Sequence, residues 1–130
     1  MDYVKLLDNT LSPLPNEMVQ VGLQRLSESQ DDDFSQFNLA NDKSGVRICI
    51  SISKKNGSMT TFIEKDGKQS WHLEEYFKQK RSKSEYNNLF FKKSPEEYIR
   101  NLCQIIESDL KEVIQGNIWL DIERDWMGYK

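Results

Sequence analysis

The sequence has little of what metal-dependent, redox and membrane proteins require. In 130 residues it holds one histidine, two cysteines and three prolines. Cys49 and Cys103 stand far apart, one in an alternating pattern and one in a helical one. That arrangement suits reduced packing cysteines better than a disulfide or zinc framework. With His72 as the single imidazole, a zinc site or a nucleophilic triad would need further His or Cys partners. Gly45, Gly57 and Gly67 are each isolated beside a turn residue, so none belongs to a phosphate-cradling loop at a helix start. No stretch approaches the roughly eighteen consecutive apolar residues of a membrane span. Met1-Asp2-Tyr3-Val4-Lys5 lacks the basic-then-apolar layout of a signal peptide. The expectation is a cytoplasmic protein with no membrane contact, no cofactor and no metal, and there is no internal repeat or low-complexity tract.

What is present is patterned. Apolar residues make up 37% and charged residues 30%, and six Phe, five Tyr and three Trp supply bulky core material, so residues 1–130 are expected to form a single folded domain. The clearest stretch is 45–71. Val46, Ile48, Ile50 and Ile52 alternate with Arg47, Cys49, Ser51 and Ser53, the period of a strand. Asn56-Gly57 has the chemistry of a two-residue type I′ turn and sets Ile52 opposite Thr61, Ile50 opposite Ile63 and Ser51 opposite Phe62. Asp66-Gly67 repeats the signal and implies Phe62 opposite Trp71. The result is a three-stranded antiparallel meander.

Upstream, Asp2 to Leu11 reads as a short helix stopped by Pro13 and Pro15. Met18 to Leu26 fits a helix or a strand, and its alternation at Val19, Val21 and Leu23 favours the strand. Residues 27–33 read as an acidic loop, and Phe34 to Ala40 as a further strand. Downstream the period changes. Leu73, Tyr76 and Phe77 mark a helix reaching about Lys80, with acids near its start and bases near its end. Ser82 to Lys93 reads as a basic connection whose Tyr86, Leu89, Phe90 and Phe91 dock onto the core. Ser94-Pro95-Glu96-Glu97 is a capping box with proline at the first helical position, and apolar residues from Ile99 to Ile114 continue at helical spacing to Gly116. Residues 117–126 read as a last short helix. The expected fold class is therefore α+β: an antiparallel β-meander of three to five strands packed by C-terminal helices.

Charge is uneven. Residues 78–93 carry six basic side chains against Glu85 alone, a local +5 in a chain of net −3, so the remainder sums to −8. Acid gathers at Glu28, Asp31, Asp32 and Asp33, and again at Asp121, Glu123 and Asp125. This balance disfavours general nucleic-acid affinity and suits a basic protein partner. Sharper chemical readings have blander competitors. His72 beside Glu74 and Glu75 has the makings of a general base, but a lone His at a strand-to-helix junction is more often structural. Glu64, Asp66 and Lys68 have the residue types of a metal-dependent nuclease, yet turns recruit the same residues. Lys78 to Lys93 has the phosphate-pairing bases and stacking aromatics of a nucleic-acid surface, against a solvated loop as its competitor. The acidic C-terminal stretch with Trp119, Trp126 and Tyr129 has the composition of a protein-binding surface.

The strands Gly45–Ile52 and Met59–Asp66, the Trp71-His72-Leu73-Glu74-Glu75-Tyr76-Phe77 junction, the long helix from Ser94 and the closing Asn117-Ile118-Trp119-Leu120-Asp121-Ile122 resemble, in layout and composition, the bacterial immunity proteins of polymorphic and contact-dependent toxin systems. The resemblance covers about the last two thirds of the chain and includes no diagnostic motif. It implies a non-enzymatic inhibitor that binds a cognate toxin domain, often a basic nuclease, and blocks its active site or substrate groove. Charge alone then assigns the partner-binding residues: Asp31, Asp32, Asp33, Asp121, Glu123, Asp125 and Trp126. The alternatives are a nucleic-acid-associated regulator using residues 78–93 and a small hydrolase using His72 or the 64–68 tip.

Overall fold

The computed structural model describes residues 1–67 and 69–123. Their architecture is α+β. Helices α1 (Tyr3–Thr10) and α2 (Asn16–Gln20) lead into strands β1 (Gln24–Arg25), β2 (Ser29–Gln30), β3 (Phe34–Asn41), β4 (Val46–Ser53), β5 (Met59–Lys65) and β6 (Gln69–His72). Helices α3 (Leu73–Lys80), α4 (Lys83–Phe90) and α5 (Pro95–Ile105) follow, then a π-helical turn over Ile106–Leu110 and α6 (Lys111–Ile114). The sheet is antiparallel in the order β1-β3-β4-β5-β6, with β2 also pairing β3.

Strand β4 is the middle of the sheet. Val46, Ile48, Ile50 and Ile52 are each 0% exposed, and the matching positions Phe37 and Leu39 of β3 and Ile63 of β5 are equally closed. Helices α1 and α6 pack on β4, and α3 packs on β5 and β6. The long helix carries the stripe read from the sequence, with Ile99, Leu102, Cys103, Ile106, Leu110, Val113 and Ile114 all buried. It starts where its capping signal lies: Ser94 Oγ accepts the Glu97 amide at 3.2 Å. It ends before Gly116, at φ +83°, where a Cβ would stand 2.7 Å from the Ser44 Cβ. There the β3–β4 turn is tied on, since Ser44 Oγ donates to the Ile114 carbonyl at 2.7 Å.

Both hairpin registers differ from the expected ones. In the first, Ile52 pairs Met59, Ile50 pairs Thr61 and Ser51 pairs Thr60. The Ser53 amide donates to the Ser58 carbonyl at 2.9 Å and closes a loop of four residues, 54–57, which Ser53 caps: its hydroxyl accepts the amides of Lys55 and Asn56, and its carbonyl accepts the Gly57 amide at 3.0 Å. Only Gly57 of the Asn56-Gly57 pair takes a positive φ, +75°. The slip is two residues, so every side chain keeps its face. In the second hairpin three residues separate β5 from β6, Asp66 sits at φ +54°, and Phe62 pairs His72 while Trp71 pairs Ile63. This slip is one residue and reverses the strand. The expected register would have buried Ser70 and His72 and left an indole in water; the observed one closes Trp71 to 2% exposure.

Four further expectations are corrected. Met18 to Leu26 is not one strand: Asn16–Gln20 is helical, burying Met18, and Gln24–Arg25 makes a two-residue edge strand. Within 27–33, Ser29–Gln30 pairs β3. Residues 82–93 are mostly helix α4, because Ser82 caps it by accepting the Glu85 amide, while Tyr86 and Phe90 bury their rings as expected and Phe91 stays 58% exposed. Residues 117–123 are not helical, and 124–126 lie outside the described residues.

One buried polar contact joins the layers. Thr61 Oγ1 of β5 and the Tyr98 hydroxyl of α5 share a 2.7 Å hydrogen bond, and both residues are at most 1% exposed. Tyr98→Phe strands the Thr61 hydroxyl and should lower unfolding free energy by about 1–2 kcal/mol in urea titration, with most of the loss recovered when Thr61→Val is added.

Candidate functional site

Among the described residues the helices pack over the face that carries Ile48, Ile50 and Ile63, and the other face has no helix layer. The register sets its side chains in rows. Asn38, Cys49, Phe62 and His72 form one row across four strands; Ala40, Arg47, Glu64 and Ser70 form the next; Gln36, Ser51 and Thr60 form a third. Phe34, 47% exposed, stands on the same face at the start of β3. In a chain that is 30% charged, only Arg47 and Glu64 of these rows carry full charge, and they sit directly opposite each other. The centre is aromatic, with the Phe62 and His72 rings 5.7 Å apart. Low charge around an aromatic centre is the composition of a protein-binding surface core.

The acidic residues lie at the two edges. Asp31, Asp32 and Asp33 form the turn from β2 to β3. Asp31 shapes that turn, because its Oδ1 accepts the amides of Phe34 and Asp33 at 2.8 Å each. Those amides, with a smaller contribution from Lys54, hold its carboxyl below the usual range. Asp32 and Asp33 are exposed. Beyond them an open depression of about 450 Å³ is lined by Met1, Asp2, Val4, Gln30 and Lys54. Asp121 and Glu123 are exposed beside the opposite edge, where the segment after α6 passes β6 and α3. The fold therefore places the two acidic groups on either side of the open face rather than in one patch. Asp125 and Trp126 lie outside the described residues.

The other candidate chemistries are also located. His72 ends β6 and precedes α3, its amide donating to Glu75 Oε1 at 2.7 Å. Phe62 stands between it and Cys49, so thiol and imidazole are two strand spacings apart, about 10 Å, and form no dyad. Cys49 and Cys103 are unpaired, and burial pushes their thiols up to about 11 and about 12. Glu64 belongs to the open face, Asp66 to the turn beside Gly45, and among the described residues no three His, Cys, Asp or Glu side chains are grouped to hold a metal.

Two bases of the basic segment are engaged by carboxylates, while Lys80, Lys83 and Lys92 stay exposed. Lys78 pairs Glu74 at 3.3 Å, and Arg81 pairs Glu85 at 2.7 Å and Asp109 at 3.3 Å while lying over the Phe77 ring. Tyr86 and Phe90, the rings available for stacking on bases, are 6% and 3% exposed. Asp109 was not singled out by the sequence; the π-helical turn carries it to α3, where the Tyr76 hydroxyl donates to it at 2.7 Å. Burial raises its carboxyl, but Ser108, Tyr76 and Arg81 together outweigh that and leave it below the ordinary 3.8.

Comparison of the chain with protein-family models, with curated proteins and with solved structures found no match.

Two expected outcomes follow from the buried groups. A folded pKa below the unfolded one means ionised Asp109 adds stability that is complete above about pH 4 and is lost as pH falls through the folded value. Asp109→Asn should therefore cost about 1–2 kcal/mol at pH 6, a deficit that shrinks below pH 4 in denaturant titrations. With both thiols raised, native protein at pH 7.5 should react with a thiol reagent at least tenfold more slowly than unfolded protein.

Proposed function

We propose that the chain is a protein-binding protein that neutralises a basic toxin domain by covering its active site or substrate groove. One observation carries the reading: the sheet face left open by the helices is poor in charge and aromatic at its centre, with exposed carboxylates at both edges. A partner seated on such a surface buries Phe34 and Phe62 against its own apolar patch while its Lys and Arg side chains meet Asp32 and Asp33 on one side and Asp121 and Glu123 on the other. The carboxylates stand where a nuclease domain would meet phosphates. The resemblance of the strand, junction and helix layout to immunity proteins points the same way, and such a protein acts in the cytoplasm of the cell that makes the toxin. The nucleic-acid reading is weaker because the aromatics it needs are inside the core and two of its bases are engaged by carboxylates.

The test is capture at low salt from the native cell lysate, followed by rate measurements on what is captured. The expected result is a single basic protein in near-equal amount whose toxicity is abolished by co-expression. Its association rate should fall with ionic strength, and replacing Asp32, Asp33 and Asp121 by lysine should slow association by about tenfold or more. Recovery of nucleic acid, or a rate indifferent to salt, would overturn the reading.

A further inference from the structure

After Gly116 the chain crosses the sheet edge without helix or ladder, and side chains hold its backbone. Trp71 Nε1 donates to the Leu120 carbonyl at 3.1 Å. The Gln79 amide engages both main-chain polar groups of Glu123, accepting its N–H at 2.9 Å and donating to its carbonyl, as a neighbouring strand would. Anchoring is by two apolar groups three residues apart. Trp119 lies against Trp71, ring centroids 5.7 Å apart, with the Lys65 ammonium 5.9 Å from its ring centre. Ile122 is 7% exposed, whereas Asp121 and Glu123 face outward. The floor beneath is the stacked pair Trp71 and Tyr76, 5.7 Å apart at 23°.

We propose that residues 118–123 form a detachable strap: a peptide ligand carried in cis, seated between β6 and α3 and held by main-chain bonds and two apolar anchors, one aromatic and one aliphatic. The inference does not rest on the proposed partner, although the strap carries Asp121 and Glu123. Its physical basis is the kind of grip. Strands β3 to β6 are locked by continuous ladders, but the Gln79 bonds to Glu123 lie at the surface, where water competes for each of them. A segment held this way opens locally while the sheet stays folded. Opening uncovers the Trp71–Tyr76 pair, an apolar surface that the closed strap denies to other chains.

Hydrogen exchange on the full chain tests the idea. The amides of 119–123 should exchange at least tenfold faster than those of β4 and β5, and Gln79→Ala should speed them roughly another tenfold while leaving the β4 and β5 amides unchanged. In an Ile122→Ala chain, whose residues beneath the strap are intact, a synthetic peptide of residues 117–123 should shift the Trp71 indole N–H resonance saturably. Strap amides exchanging in step with the sheet would overturn the proposal. So would a Gln79→Ala effect spread evenly over the molecule, or an indole resonance that ignores the peptide.

Discussion

The burial of one row of β-branched side chains, Val46, Ile48, Ile50 and Ile52 of the central strand, is the interaction on which the rest of the structure depends. Each is closed to water, and each contributes about 2 kcal/mol of burial that is available only if a helix layer lies over that face. Helices α1 and α6 meet that need directly, α3 packs beside them on β5 and β6, and α5 is held over the sheet by the Tyr98–Thr61 bond. Because the alternate positions of β4 are Arg47, Cys49, Ser51 and Ser53, the same strand cannot support a second helix layer on its reverse side. The open face is thus a consequence of the sequence of one strand.

Register decides what that open face presents. The two-residue slip in the first hairpin preserves it, whereas the one-residue slip in the second exchanges an indole for an imidazole. With Trp71 inside, His72 joins Phe62 on the row of the helix-free face and the indole becomes the floor on which Trp119 and Leu120 rest. One choice of turn length therefore shapes both surfaces.

Charge is arranged to a similar effect. The local excess of bases after Lys78 looks like an interaction surface when read along the chain. Folding brings Glu74, Glu85 and Asp109 against it and sinks Tyr86 and Phe90 into the core, leaving Phe91 exposed. Asp32, Asp33 and Asp121, by contrast, stay exposed at the sheet edges.

The elements themselves were legible in the chain because their signals are local: strict alternation in β4, capping at Ser94, helical spacing from Ile99 to Ile114, glycine at 116. The turn lengths were not, because Asn56-Gly57 and Asp66-Gly67 fit several loops, and the winner is set by the Ser53 cap and by the burial of Trp71, which a strand read alone does not show. Helix α4 was hidden by its basic, Asn-containing composition, although Ser82 and Glu85 carry the cap that starts it. Helix α2 was hidden by alternating valines in a segment too short to display a helical period. The acidic candidates were visible as composition, but their division between opposite edges, the side of the sheet left open, and the pairing of Asp109 with Tyr76 and Arg81 were decided by tertiary structure. Each of these joins residues far apart in sequence, and local periodicity carries no information about which distant group will arrive.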